Sequence, residues 1–294
     1  MRILKWPPDY DHKKLLDFDF SLPDKASGIK NYIGIDDTTR HLFENDNKIE
    51  LWFEKHKIPK RGSRNQGKCR IVWEPVNGAE KLYKTFNRRF EIFLRNANNM
   101  YPHPCSYGYA RGRNTLSNAK LHVGSPKILH ADIKNFFPSI SKDRLLSVFC
   151  DLRIAPEFAK FLSEFVTING SLPLGLHSSP MLANLCCLSL DDKLFNLSKK
   201  YLSVYSRYAD DITISGKSIP SKSEVEEVLL DEGFHLSQRK FRITKPGQNH
   251  FVTGLSVSDI KVPHVPRRLK RNLRQELYYC EKFGISDHID RISE

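Results

Sequence analysis

Residues 204–215 read VYSRYADDITIS, and this stretch decides how the chain is interpreted. The alternation of side chains on either side of Ala209-Asp210-Asp211 predicts two short β-strands. Successive side chains on a flat strand point to opposite faces, so the adjacent aspartates can serve one site only if the chain turns there. A tight hairpin would supply that turn. Because Asp pairs are also common in surface turns, the role of this pair depends on the rest of the sequence.

A second acidic residue also stands at the end of a β-like run, residues 127–133, which read KILHADI. Carboxylates at strand ends are held rigidly and can converge on one face of a sheet. Convergent carboxylates suit Mg²⁺, and two ions about 4 Å apart can activate a hydroxyl group and stabilise a leaving oxygen. We expect Asp132 and Asp210 to be the main metal ligands, with Asp211 in support and Ile133 in the same site.

The charge of the chain points to a polyanionic partner. Its 47 Lys and Arg residues against 34 Asp and Glu residues give a formal net charge of +13, which favours nucleic acid. An anionic membrane would also attract such a chain, but no apolar stretch approaches the roughly 20 residues needed to span a bilayer. The first residues lack the apolar segment of a signal peptide. We expect a cytoplasmic protein without a membrane partner.

The remaining segments predict a mixture of helices and strands. Apolar spacing predicts helices over 39–56, 79–97, 179–201 and 266–284, and residues 69–73 (CRIVW) are typical of a short strand. Strands and helices follow one another irregularly, which favours an α+β fold over regular βαβ winding.

Three motifs in this order resemble those of reverse transcriptases. Residues 208–211 (YADD) resemble the YxDD box, and residues 132–139 (DIKNFFPS) resemble the first acidic motif of these polymerases. Residues 171–185 (SLPLGLHSSPMLANL) resemble the loop-to-helix motif beneath the incoming nucleotide. Residues 118–122 (NAKLH) and 252–254 (VTG) look like the NAxxH and VTG elements of bacterial retron enzymes, and the resemblance extends from about Lys68 to Lys282.

The resemblance implies a right-hand polymerase of fingers, palm and thumb, with an antiparallel palm sheet and a short helical thumb. The expected domains are an N-terminal extension (1–36), fingers and the start of the palm (37–126), the palm (127–258) with a fingers segment inserted near 140–175, and the thumb (259–294). A shortened thumb would weaken the grip on a duplex unless the extension or a partner compensates.

The resemblance also implies an activity and its partners. The expected enzyme is an RNA-directed DNA polymerase that uses dNTPs and two Mg²⁺ ions, with Mn²⁺ as an alternative. Retron enzymes copy a partner non-coding RNA and prime from a guanosine 2′-hydroxyl, which yields branched RNA-linked DNA. Many act with an effector protein in phage defence, so such an effector is expected here.

Several residues match positions that bind the nucleotide. Lys68 and Arg70 match basic residues that meet its triphosphate, or they belong to a solvated face. Phe137 matches an aromatic gate against the ribose 2′-hydroxyl, or is a core aromatic. Leu174 and Gly175 lie in the motif beneath the nucleotide, and Leu174 replaces the usual Gln, so nucleotide affinity or fidelity is expected to differ. Lys240 matches a lysine proposed to protonate the leaving pyrophosphate, or is an exposed lysine at a strand end.

Other positions are expected to hold RNA or DNA. Asn118 and His122 are hydrogen-bonding core residues or position RNA, and the VTG triplet contributes Val252, Thr253 and Gly254. A stretch without acids carries basic residues that would contact phosphates without reading sequence, unless they form an ordinary solvated face: Arg267, Arg268, Lys270, Arg271 and Arg274.

Two other functions stay open at this point. The nearer one is another bacterial reverse transcriptase of the diversity-generating, CRISPR-associated or defence type, against which the NAxxH and VTG matches argue. The other is a catalytically idle RNA-binding scaffold, which Leu174 and the short thumb leave possible. The three aspartates argue against that scaffold, since RNA binding alone does not need them.

Overall fold

A computed structural model describes residues 52–59, 67, 69–76, 79–97 and 101–285. In chain order the described elements are β1 (Phe53–Pro59), β2 (Cys69–Pro75), α1 (Ala79–Ala97), α2 (Thr115–Lys120), β3 (Lys127–Asp132), α3 (Lys142–Asp151), α4 (Pro156–Phe165), α5 (Ser179–Cys186), α6 (Leu188–Lys200), β4 (Val204–Tyr208), β5 (Asp211–Gly216), α7 (Lys222–Asp231), β6 (Arg242–Thr244), β7 (Phe251–Val252), β8 (Leu255–Ser256) and α8 (Arg267–Phe283).

The central element is a four-stranded sheet in the order β4-β5-β3-β6, and every neighbouring pair is antiparallel. Tyr208 pairs with Asp211, so only Ala209 and Asp210 connect β4 to β5. The structure therefore confirms the α+β class predicted from the irregular order of strands and helices, and the antiparallel sheet that the resemblance implied. It also places a tight hairpin at the Asp pair.

The two faces of the sheet pack against different layers. Leu129 and Ala131 of β3 point into the main core, which the helices share. Ile128 points the other way, into a smaller cluster with Val252 and Val257. Because side chains alternate along a strand, Asp132 lies on the same face as Ile128. The acidic face is thus covered by the small cluster at one end and left open at the other.

Helix α1 forms over the predicted residues and carries a stripe of aromatic side chains at helical spacing. Phe86 and Phe90 are fully buried and Phe93 nearly so, with ring centroids 5.3 and 5.8 Å apart along the stripe. Burial of each such side chain stabilises the folded state by roughly 2 kcal/mol. The stripe is part of the structural core.

Two of the predicted helices differ in the structure. The prediction of helix up to His56 is wrong at its end, because residues 53–59 form β1 and pair along their length with β2. Pairing with that neighbouring strand overrides the local helical spacing, and residues 39–51 lie outside the described part. The helix predicted over 179–201 is two helices, α5 and α6, that meet at Cys187.

Candidate active site

The three predicted metal ligands lie together at the open end of the sheet. Asp132 ends β3 and is directly opposite Asp211, the first residue of β5. Asp210 occupies the two-residue turn, next to Ala209 with its positive φ of 56°. One carboxylate oxygen from each aspartate lies within 4.8 Å of the others. The hairpin therefore allows two aspartates adjacent in sequence to face one point in space.

The ammonium group of Lys240 lies on this carboxylate cluster. It donates a hydrogen bond to Asp132 and is 4.0 Å from Asp210. Burial raises the pKa of Asp132 to about 6, and the neighbouring aspartates add to this while Lys240 opposes it. Burial would lower the pKa of Lys240, but its bond to Asp132 and the three carboxylates outweigh it and raise the value. Three carboxylates facing one cation leave an excess of negative charge.

This arrangement fits a divalent cation. Carboxylate oxygens are the hard ligands that Mg²⁺ and Mn²⁺ accept. The cluster lies at the end of a sheet whose strands fix its geometry. Ile133 lies beside it, and its amide donates to the carbonyl oxygen of Asp210 at 3.0 Å, which ties β3 to the hairpin. The three carboxylates therefore have the chemistry and the proximity that a divalent cation requires.

A buried ion pair supports the hairpin from beneath, and the sequence did not identify it as part of the site. The guanidinium group of Arg207 donates two hydrogen bonds of 2.7 Å to Asp191 of α6. It also donates to the carbonyl oxygen of Ala209 at 3.0 Å. Tyr205 adds a bond of 2.6 Å to Asp191. Because Arg207 and Asp191 have no solvent exposure, this network anchors the turn rigidly. An arginine inside a strand of otherwise uncharged residues was the available signal.

The segment just before α2 runs alongside β4 and continues this support. Arg207 and residues 105–107 exchange two backbone hydrogen bonds, of 2.8 and 2.7 Å. A side chain at Gly108 would collide with the backbone nitrogen of Ala209, so only glycine allows this approach. The carbonyl oxygen of Gly108 accepts from the amide of Asn184 at 3.0 Å. The turn that carries Asp210 is thus enclosed on two sides.

The predicted nucleotide-binding residues that the structure describes lie on three different elements. Phe137 follows Asp132 on a short 3₁₀ turn and is 9% exposed. Its ring packs at 5.3 Å from Phe136 and at 6.2 Å from Tyr109. Arg70 is exposed on β2, whereas Lys68 lies outside the described residues.

The loop with Leu174 and Gly175 is bound to β2. The carbonyl oxygen of Leu174 accepts from the amide of Trp73 at 2.8 Å. Gly175 has a φ of 115°, and a side chain there would collide with the carbonyl oxygen of Trp73. The side chain of Leu174 is partly buried against the main core. Its apolar character is therefore used in packing, which the comparison with Gln did not anticipate.

The NAxxH and VTG elements are in contact with each other. Helix α2 lies against the β7–β8 hairpin, where the hydroxyl of Thr253 donates to the carbonyl oxygen of Thr115 at 2.9 Å. Asn118 and Val252 are buried at 1% exposure each. Thr253 and Gly254, at the tip of the hairpin, reach the surface. The two elements form one unit on the acidic face of the sheet.

His122 is a core residue in the structure. It is fully buried, and its two ring nitrogens are each 2.7 Å from a serine hydroxyl, of Ser206 on β4 and of Ser215 on β5. Burial lowers its pKa to about 3, so the ring is neutral at physiological pH. A direct contact of His122 with RNA is incompatible with this burial, and the structural alternative considered for this residue holds.

Helix α8 presents its basic residues to solvent. None of its residues, all of which the structure describes, is buried. The exposed set is the one expected from the sequence: Arg267, Arg268, Lys270, Arg271 and Arg274. None of the helices in the described part of the chain is both long and apolar enough to cross a membrane.

Comparisons with known proteins agree with this geometry. Residues 58–258 match the family "Reverse transcriptase (RNA-dependent DNA polymerase)". The chain is 34% identical over 227 residues to the Retron Se72 reverse transcriptase of Salmonella heidelberg (strain 579083-10), covering 74% of this chain and 58% of that one. It is 31% identical over 192 residues to the Retron Ec86 reverse transcriptase of Escherichia coli, covering 63% of this chain and 60% of that one.

The similarity covers part of each relative. A third, the Retron Mx162 reverse transcriptase of Myxococcus xanthus, is 30% identical over 216 residues, which are 61% of this chain and 44% of that one. The chain thus spans about 60% or less of the length of these three relatives. The family model covers most of the chain and includes the sheet, the hairpin and the acidic cluster. The chain belongs to the reverse transcriptase family, with the right-hand polymerase fold and the similarity to bacterial retron enzymes that its motifs predicted.

Proposed function

We propose that this chain is a retron-type reverse transcriptase, an RNA-directed DNA polymerase that copies a partner non-coding RNA into single-stranded DNA. The observation that carries the proposal is the convergence of Asp132, Asp210 and Asp211 within 4.8 Å, with Lys240 bound to the cluster. Phosphoryl transfer depends chiefly on positioning and on neutralising charge, and these are the groups for both tasks. The similarity to retron enzymes supports RNA as the template.

The metal ligands and the lysine have separate roles in this proposal. Asp132, Asp210 and Asp211 would hold two Mg²⁺ ions, or Mn²⁺, beside Ile133. Bound there, such ions activate the attacking hydroxyl group and stabilise the leaving oxygen. Lys240 remains charged at neutral pH, because the carboxylates raise its pKa. It can therefore donate a proton to the leaving pyrophosphate.

The incoming dNTP would lie between the cluster and β2. Arg70, with Lys68, would meet the triphosphate, since both are basic, Arg70 is exposed, and the charges of Arg70 and Asp210 both act on Tyr109. Phe137 would lie against the sugar and exclude a ribose 2′-hydroxyl, which its apolar ring cannot hydrogen-bond. Leu174 and Gly175 would support the nucleotide from the loop attached to Trp73.

The template and the growing strand would extend over the β7–β8 hairpin towards α8. Half-buried Thr253 and exposed Gly254 lie at the hairpin tip and would contact the backbone of a duplex. The five basic residues of α8 would contact its phosphates. An RNA–DNA hybrid is A-like and is recognised mainly through its shape and backbone. Asn118, His122 and Val252 would act indirectly, by holding this unit on the sheet.

Priming and partners rest on the similarity to retron enzymes. We propose that synthesis begins at the 2′-hydroxyl of a guanosine in the partner RNA and yields branched RNA-linked DNA. We also propose that the enzyme acts in the cytoplasm with an effector protein in antiphage defence. The alternative is another type of bacterial reverse transcriptase. A branched DNA product would distinguish a retron enzyme from these other types.

The test is the nature of the bound nucleic acid. The chain would be purified from its native operon, and the nucleic acid treated with RNase and then with a debranching enzyme. A discrete single-stranded DNA that shifts on debranching, absent with Asp210→Ala/Asp211→Ala, is expected. Unbranched DNA would retain the polymerase and exclude the retron assignment. RNA without DNA from both proteins would indicate the idle scaffold.

A further inference from the structure

An aromatic side chain that none of the motifs includes lies at the acidic cluster. Tyr109 is 52% exposed, although the residues around it are largely buried. Its backbone has a φ of 58°, a left-handed conformation that is unfavourable for a bulky residue and is common only for Gly, Asn and Asp. Such outliers persist where the surroundings impose them, and they concentrate at functional sites.

The position of Tyr109 is fixed relative to the catalytic hairpin. The preceding residue, Gly108, lies directly against the backbone of Ala209. The carbonyl oxygen of Gly108 is held by Asn184 at 3.0 Å, and Asn184 in turn accepts from Arg207 at 3.1 Å. The side chain is therefore presented from a rigid support, which is what a precise contact with a ligand requires.

The surroundings of Tyr109 indicate which part of a ligand it meets. Its ring lies 6.2 Å from that of Phe137 at an angle of 55°. Its hydroxyl is close enough to Asp210 and Arg70 for both charges to act on its pKa, which burial and Asp210 raise. A nucleotide with phosphates between the metal ligands and Arg70 would bring its sugar against the exposed side of this aromatic pair.

We propose that Tyr109 contacts the sugar of the incoming nucleotide and, together with Phe137, discriminates deoxyribose from ribose. This inference rests on the proposed polymerase function. Phe137 is almost completely buried, so it can offer only part of its ring to a ligand. Tyr109 supplies the larger free apolar surface. A 2′-hydroxyl placed against both rings would lose its hydration without gaining a partner, which disfavours ribonucleotides.

The test compares variants that separate the effect of the Tyr109 ring from the effect of its backbone conformation. Tyr109→Asn removes the ring and tolerates a positive φ, so it is expected to fold at least as well as the wild type. Tyr109→Phe keeps the ring and removes the hydroxyl. Leu202→Asn is the matched control, because Leu202 is also an exposed residue with a positive φ, of 51°, but lies after α6.

Incorporation of single dNTPs and rNTPs on an RNA template would be measured, after the thermal stability of each variant. Tyr109→Asn is expected to raise KM for dNTPs about ten-fold, the scale of one lost aromatic contact, with a smaller effect on kcat. Its preference for dNTPs over rNTPs is expected to fall by a similar factor. Tyr109→Phe and Leu202→Asn are expected to retain the wild-type preference.

Two results would overturn the inference in different ways. A stable Tyr109→Asn protein with wild-type KM and wild-type sugar preference would show that the ring does not meet the nucleotide. A raised KM with an unchanged preference would remove the sugar assignment. Absence of DNA synthesis by the wild-type protein would instead reject the polymerase function itself, and this inference with it.

Discussion

Arg207 and Asp191 form an ion pair of two parallel hydrogen bonds, each 2.7 Å long, with no exposure to solvent on either side. The pair lies beneath the turn that carries Asp210, and Arg207 also binds the carbonyl oxygen of Ala209. Burial opposes the ionisation of Asp191, but the charge of Arg207 prevails and lowers the pKa of that carboxyl group. The pair therefore stays charged and connects the helical layer to the turn that carries Asp210.

Removal of one partner should be much more damaging than replacement of both. Asp191→Asn leaves the charge of Arg207 buried without compensation, which costs about 3–5 kcal/mol of unfolding free energy. An Arg207→Met/Asp191→Leu protein should recover much of that loss, because apolar residues can replace a buried ion pair. Its DNA synthesis should nevertheless be slower than that of the wild type, because the carbonyl oxygen of Ala209 loses the hydrogen bond from Arg207.

Urea unfolding and single-nucleotide incorporation would measure the two effects separately. Lys193→Ala, which removes an exposed cation on the same helix, is the control and should change stability by less than about 1 kcal/mol. A double variant with wild-type kcat would show that the pair only stabilises the fold and does not position the turn.

The sequence predicted the acidic site far better than its support. The YADD hairpin and Asp132 were identified because alternation and motif order are local properties of the chain. The network around Arg207 was missed because its partner, Asp191, lies on α6 and meets it only in the folded sheet. The prediction of helix up to His56 failed for a related reason, since β2 is the partner that makes residues 53–59 a strand. His122 was left undecided because burial cannot be read from one residue.

Gly175 should be intolerant of any side chain. A methyl group there would collide with the carbonyl oxygen of Trp73, and the φ of 115° is unfavourable for other residues. Gly175→Ala should therefore lower the unfolding free energy by about 2–4 kcal/mol. It should also raise KM for dNTPs, because β2, which carries Arg70, is displaced from the loop.

Gly170→Ala is the matched control for this substitution. Gly170 also has a positive φ, of 73°, but no described atom lies within 4 Å of the position a methyl group would take. Its substitution should cost only the backbone strain of about 1 kcal/mol and leave KM unchanged. Urea unfolding would measure the free energy of unfolding, and steady-state kinetics would measure KM. Equal changes of both quantities in the two variants would mean that the close contact of Gly175 with Trp73 affects neither.

The stability of the protein should fall in acid partly because of His122. Burial lowers its pKa from 6.5 to about 3 in the folded state, so below pH 6.5 the unfolded chain binds a proton that the folded chain does not. Stability is therefore full above pH 6.5 and declines as the pH falls towards 3. Between pH 6.5 and pH 4 this one residue should remove about 3 kcal/mol.

Replacement of His122 by glutamine tests the size of that contribution. His122→Gln cannot titrate, yet its amide can bond the same two serines, so the urea midpoint should depend less on pH. Buried His103 and half-buried His130 have pKa values lowered by burial to about 4, so part of the pH dependence of the urea midpoint should remain. The exposed His235→Gln is the control. If the urea midpoint of His122→Gln depended on pH as strongly as that of the wild type, His122 would not be a source of the loss of stability in acid.

Lys240 should affect metal binding and catalysis in opposite directions. Its ammonium group donates a hydrogen bond to Asp132 and so competes with a cation for that carboxylate. Lys240→Met removes a positive charge next to the cluster, and Mn²⁺ should then bind about ten-fold more tightly, as judged from charges a few ångströms apart in partly exposed surroundings. DNA synthesis should nevertheless slow about 100-fold, because the leaving pyrophosphate loses its proton donor.

The neighbouring Arg239 provides the matched control. It is exposed and carries the same charge, so Arg239→Met lowers the net charge of the chain equally without removing the contact with Asp132. Mn²⁺ titration by electron paramagnetic resonance would measure affinity, and single-turnover incorporation would measure the rate. Tighter Mn²⁺ binding with a normal rate of synthesis in Lys240→Met would show that the lysine only balances the charge of the aspartates and does not donate a proton. The same change of affinity in both variants would attribute the effect to net charge and not to the contact with Asp132.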